Sequence, residues 1–324
     1  MATAENAKLQ YEAGQQAAAM GLLTNSGDAT TFTSASSLWS GRSGYAPVVR
    51  PNGVLTGFGI TTHATNNTVN VAAGTLNLAG TVVAVAAGTL VAARPATAVA
   101  KVNSLTVDST GALAAVAGTD GSNTTFSETR GAAGGPPLIP VGSVEIGQVR
   151  YTSNTAAPVL SSEIFEVVGL HRERADFPLY DVNYATGSVT FSAALESIHT
   201  GSVPKRVYAS YAAPIFADIQ LASDFVPPET THSVSSTQIY GTTLGSSTST
   251  LGQGSFTAYL NDGVTDALVT LKNQLLWFRF YPDRYKTPYM LTQGKLGIGR
   301  TFPAGDQIAA ACTISASAAA IEVA

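Results

Sequence analysis

Leu276-Trp277-Phe278-Arg279-Phe280-Tyr281 is the stretch on which the fold turns. Leu276, Phe278 and Phe280 alternate with Trp277, Arg279 and Tyr281, the two-residue period of a strand with one buried face. Just upstream, Phe256 to Leu260 reads as a strand ending in the turn signal Asn261-Asp262-Gly263. Thr265 is then placed to cap a helix of about two and a half turns. Val264, Leu268, Leu271 and Leu275 would share the side of that helix that lies on a sheet. Downstream, Ile308, Ala310, Cys312 and Ile314 face one way along a second alternating strand. The segment reads as a β-sandwich carrying one helix.

Reading outward, Arg206 to Ala212 and Ser188 to Ala193 are further strands, the latter opened by the turn Tyr184-Ala185-Thr186-Gly187. Ala156-Ala157-Pro158 makes a linker, and before it residues 51–160 read as a separate all-β domain with a strand from Val144 to Tyr151. Within that domain Val71-Ala72-Ala73-Gly74-Thr75-Leu76 recurs as Val85-Ala86-Ala87-Gly88-Thr89-Leu90. The repeat marks either a structural duplication or, more plainly, coincidence in a small-residue hairpin. The first twenty residues hold helix formers, with Leu9, Ala13, Ala17 and Met20 at helical spacing. A Ser/Thr/Gly-rich arm follows to residue 50. The expected fold class is therefore all-β with minor α, in three parts: an N-terminal helix and arm (1–50), an accessory β domain (51–160) and the sandwich (161–324).

Hydrophobic residues make up 45% of the 324, enough for a core, but only 12% are charged. A globular surface usually carries about twice that share. The deficit suits a subunit whose would-be surface faces other protein. A net charge of −4 argues against a protein that grips nucleic acid. One cysteine, Cys312, leaves no disulfide framework. The start of the chain lacks the cationic and apolar runs of a signal peptide, and its longest purely apolar stretch, Val82 to Ala87, falls far short of a membrane span.

Catalytic signatures do not emerge, so no enzyme, cofactor or metal is expected. His63, His171, His199 and His232 are scattered, without the spacing of a zinc site. Gly294-Lys295-Leu296-Gly297-Ile298-Gly299 lacks the Gly-Lys-Ser/Thr of a phosphate loop and reads as a bend in a strand. Two charge features stand out. His171-Arg172-Glu173-Arg174-Ala175-Asp176 concentrates both signs in six residues; it is either a solvated loop or an inter-subunit contact through Arg172, Glu173, Arg174 and Asp176. Residues 207–271 hold no Lys or Arg, yet contain Asp218, Asp224, Glu229, Asp262 and Asp266.

The C-terminal region resembles the tail-tube proteins of long-tailed bacteriophages. The likeness runs through Ser255-Phe256-Thr257-Ala258-Tyr259, the Asn-Asp-Gly turn, Leu276 to Asp283, Phe302-Pro303-Ala304-Gly305-Asp306 and the small-residue terminal strand. Asp181 to Phe191 and Val207 to Tyr211 are similar to elements of phage structural proteins. The resemblance implies a virion protein, made in the host cytoplasm, whose copies form stacked, hexameric rings around a DNA conduit. Its partners would be itself and the tape-measure, tail-initiation and tail-terminator proteins, with double-stranded DNA passing non-specifically. Asp218, Asp224, Glu229, Asp262 and Asp266 would then be candidates to line the lumen, where a basic wall would hold phosphates and stall passage. The 51–160 domain would decorate the exterior. Other readings are a capsid-decoration or distal-tail subunit and a carbohydrate-binding β-sandwich.

Overall fold

The structure, a computed structural model, describes residues 5–195 and 197–324. It is an all-β protein: among the described residues strands carry nearly all the regular structure, beside one helical turn, Ala267–Thr270, and two short 3-10 turns. Two compact units divide it. The first gathers residues 1–17, 38–46 and 212–324; the second comprises 18–37 and 47–211. The expected 51–160 segment thus falls in the second unit, which continues to Tyr211.

The first unit is a sheet in which Leu275–Tyr281 sits centrally. It pairs antiparallel with Tyr289–Thr301 on one side and with the N-terminal strand Lys8–Leu22 on the other. Ile308–Ala316, Gly254–Leu260 and Ala222–Val226 continue the sheet outward. Its core is the alternation read from the sequence: Leu276, Phe278, Leu296, Ala310, Cys312 and Ile314 bury one face with Phe256 and Leu268.

The N-terminal helix is corrected to a strand. Residues 1–4 lie outside the described residues, but Lys8–Leu22 is extended, and Leu9 and Tyr11 sit opposite Phe280 and Phe278. Ala, Gln and Glu are good helix formers, but local propensity is readily overridden by tertiary context, here by pairing with an aromatic strand. Glu12 of this strand is fully buried. Its carboxylate accepts hydrogen bonds from the Ser40 hydroxyl, the Trp277 amide (3.1 Å) and the Gln15 side chain (2.8 Å). The Trp277 indole N–H donates to the Trp39 carbonyl at 2.8 Å, so a buried polar clamp ties residues 39–40 to the sheet. The helix expected from Thr265 is corrected to the single turn Ala267–Thr270. Leu268 and Leu271 are buried as anticipated, but Asn273 takes φ 66°, which ends the turn, and Leu275 pairs with Lys295 as a strand. The Gly294–Gly299 run lies inside the strand Tyr289–Thr301, where Gly294 and Gly297 make room for Ile314 and Thr313.

In the second unit, Lys101–Val107 pairs with Leu113–Ala117 on one side and Val144–Tyr151 on the other. Two three-stranded sheets share its core, which runs from Val54 to Val159. The hexapeptide repeat proves to be a structural duplication. Each copy ends a strand at its Val, turns a corner over Ala-Ala and starts a strand of the other sheet at its Gly. The copies pair reciprocally, Gly74 opposite Val85 and Gly88 opposite Val71, and Val71, Leu76, Val85 and Leu90 enter one core. Thr31–Thr33, within the segment expected as an arm, pairs with Ser188–Phe191.

Candidate assembly surface

Beyond the strand Ala222–Val226 the chain leaves the first unit's core as a long hairpin, Thr230–Ile239 paired with Thr242–Leu251 over ten consecutive residues. Gly241 at its tip takes φ 85°, a conformation that glycine adopts without steric cost. Every residue from 230 to 250 is exposed, so neither face of the hairpin packs on a core. Its strands hold because Thr and Ser suit the pleated backbone and because hydroxyls bridge the strands. Ser233 meets Thr248 and Ser235 meets Ser246, both at 2.7 Å. The tip is apolar: Ile239, Tyr240 and Leu244 are all exposed, Tyr240 completely.

An isolated two-stranded hairpin is at best marginally stable in water. Exposed strands in soluble proteins are usually blunted by charge, proline or a bulge. Residues 230–251 contain no Lys, Arg, Asp, Glu or Pro. The edges of the first unit's sheet differ sharply. At Ala222–Val226 the register breaks between Ser223 and Val226, Asp224 takes φ 55°, and Pro227-Pro228 follows. The strand Val207–Asp218 carries Pro214 beyond its pairing with Val48–Pro51, and the Ser40 amide donates to its Ala212 carbonyl at 2.7 Å. Guarded edges and an unguarded hairpin thus occur in one unit.

The five acids of residues 207–271 separate by role. Asp262 and Asp266 are turn clamps. Asp262 accepts from the amides of Val264 and Thr265 (both 2.7 Å) and from the Thr265 hydroxyl, and these bonds hold its carboxyl well below the usual carboxylate range. Asp266 accepts from the amides of Asn261, Asp262 and Gly263. Asp218 is paired with Lys8 at 3.4 Å and takes a hydrogen bond from Gln10 at 2.8 Å. Asp224 and Glu229 are exposed and have no cationic partner among the described residues; Asp224 accepts only from its neighbour Ser223.

The 171–176 run is bound into the second unit. Its backbone bridges residue 54: the Val54 amide donates to Glu173 and the Ala175 amide donates back to Val54. Gly53 permits that approach, since a Cβ there would lie 2.6 Å from the Arg174 carbonyl carbon. Arg172 pairs with Glu166 and donates to the Gly57 carbonyl; Glu173 is buried against Lys205 and the Glu145 amide. Burial pushes the Glu145 carboxyl up, opposed by its pairing with Arg130. Burial likewise pushes His171 down. The outermost pair is Arg174 and Asp176, which bind each other bidentately at 2.7 and 2.6 Å.

Hydrophobic alternation, the sequence sign of a half-buried strand, is missing from this hairpin, whose faces carry mostly Thr and Ser. Two Thr/Ser-rich runs around Tyr240-Gly241 were the available sign. Among the described residues no cluster of three His, Cys, Asp or Glu side chains could hold a metal, and no helix is long and apolar enough to cross a membrane. No family model matches the chain, and no curated protein matches it in sequence.

Proposed function

We propose that this chain is a structural, non-catalytic subunit that polymerises with copies of itself into stacked rings, the tail tube of a long-tailed bacteriophage. The observation that carries self-association is the hairpin of residues 230–251, uncharged and exposed on both faces. Ten residues at about 3.4 Å each, on two strands, give a ribbon about 34 Å long and about 10 Å wide. Its two faces present on the order of 700 Å2, close to the roughly 800 Å2 that each partner buries in a stable interface. The phage assignment rests on the resemblance of the C-terminal strands to tail-tube proteins, with the rings and the DNA conduit that it implies. The second unit, with its own core, suits a decoration on such a tube.

Purified full-length protein should form rings or hollow tubes in negative stain, and fast-sedimenting species in the ultracentrifuge. Replacing residues 230–251 by a short Gly-Ser turn should leave a folded monomer. Wild-type protein that stays monomeric at high concentration, even beside tail-initiation components, overturns the proposal. Glu229 is the lumen candidate with neither a cation nor a turn to serve. Glu229→Lys should leave tubes intact and slow DNA delivery, most at low salt where screening is weak.

A further inference from the structure

The first unit also carries a groove of about 590 Å3, and its lining describes an occupant. Its floor is apolar: Phe225 and Phe280 stack with centroids 4.5 Å apart and planes 21° apart, beside Leu9, Ile219 and Leu221. The charges on its rim are mostly engaged. Lys8 pairs with Asp218, and the Arg284 side chain donates to the carbonyls of Asn6 and Ala7 at 3.3 and 3.0 Å. What remains is acceptor capacity from Glu5 and Asp224. An uncharged apolar group with one hydrogen-bond donor fits such a lining, and a phenol has that chemistry.

We propose that this groove receives the hairpin tip, Ile239-Tyr240, of a second copy of the chain; the inference rests on the self-association proposed above. Two observations converge. Tyr240 is the most exposed large hydrophobic side chain among the described residues, on an arm with no charge to repel a neighbour. Leu221, which lines the groove, is itself an exposed hydrophobe awaiting cover. A tip on one surface and a groove on another make a head-to-tail contact, which closes into rings or continues into filaments but does not stop at a two-fold dimer. Asp224 then serves the subunit contact rather than the lumen.

Cysteine cross-linking tests this cleanly, because the native Cys312 is buried and burial pushes its thiol up to about 12, leaving it unreactive. Full-length Tyr240→Cys and Leu221→Cys proteins are prepared separately, mixed and oxidised. The mixture should give a disulfide-linked two-chain species at least tenfold above either variant alone. Leu221→Glu, at an exposed position, should raise the concentration at which assembly begins at least tenfold without lowering the melting temperature. Assemblies that form while the mixture cross-links no better than the single variants overturn the tip-and-groove contact and leave self-association standing. Wild-type protein that never assembles overturns both. A double variant that cross-links within one chain at high dilution shows that the groove takes its own hairpin, which also overturns the proposal.

Discussion

Two hairpins of the first unit put the same element to opposite use. Leu275–Tyr281 with Tyr289–Thr301 buries Leu276, Trp277, Phe278, Leu291 and Leu296 and lies inside a sheet. Thr230–Ile239 with Thr242–Leu251 buries nothing and pairs with no other strand. One is held by the hydrophobic effect within the chain, the other by backbone bonds and hydroxyl contacts alone. The difference teaches that stability and assembly are separable here: substitutions in the first hairpin should be read in melting curves, and those in the second in sedimentation.

The comparison breaks most sharply at Phe278, fully buried among Phe256 and its neighbours. Phe278→Ala should cost about 3–5 kcal/mol in chemical denaturation, the range for emptying an aromatic site in a core. A loss below about 1 kcal/mol would mean that the sheet is not the stabilising element. Next comes Glu12→Ala, which strips the Ser40 hydroxyl and the Trp277 amide of their acceptor. Unsatisfied buried donors cost about 1–3 kcal/mol, and the variant's Trp fluorescence should shift as the clamp over Trp39 and Trp277 loosens.

Asp262→Ala gives a smaller, pH-dependent effect. The folded state holds this carboxyl below its unfolded value, so its contribution is present at neutral pH and lost as pH falls below about 4. Wild type should melt higher than the variant at pH 7, and the gap should close in acid; a gap that widens there contradicts the turn-clamp role. Smallest of all, Ser235→Ala on the exposed hairpin should change monomer stability by less than about 0.5 kcal/mol, despite losing the bond to Ser246.

How much of this was legible follows from which signal each element carries. Strand 308–316 announced itself because one face is core and the other is exposed; strand 275–281 shows the same alternation in sequence, although the structure also buries Trp277 on its other face. Val144–Tyr151 was legible for its β-branched residues, though the structure buries it on both faces. Lys8–Leu22 was misread because its partner lies some 270 residues away, and nothing local reports a tertiary pairing. The hexapeptide repeat was visible, but its meaning needed the reciprocal register of the two copies. Among the site residues, sequence could group the acids by the absence of Lys and Arg. It could not show that Asp218 has Lys8 beside it, or that Asp262 and Asp266 are occupied by their own turn.

The placement of Lys8–Leu22 also sets a clock. Leu9 pairs with Phe280, so the first unit's sheet cannot close until Phe280, some 270 residues after Leu9, has been synthesised. At about 5–20 residues per second, that interval is roughly 15–50 s. The hairpin emerges before Phe280 does, on a chain whose groove is still missing the Phe280 side of its floor. A nascent chain therefore displays the arm but not the finished receptor. Of two neighbouring chains on one messenger, at least the one that offers the groove must have Phe280 in place before tip and groove can join.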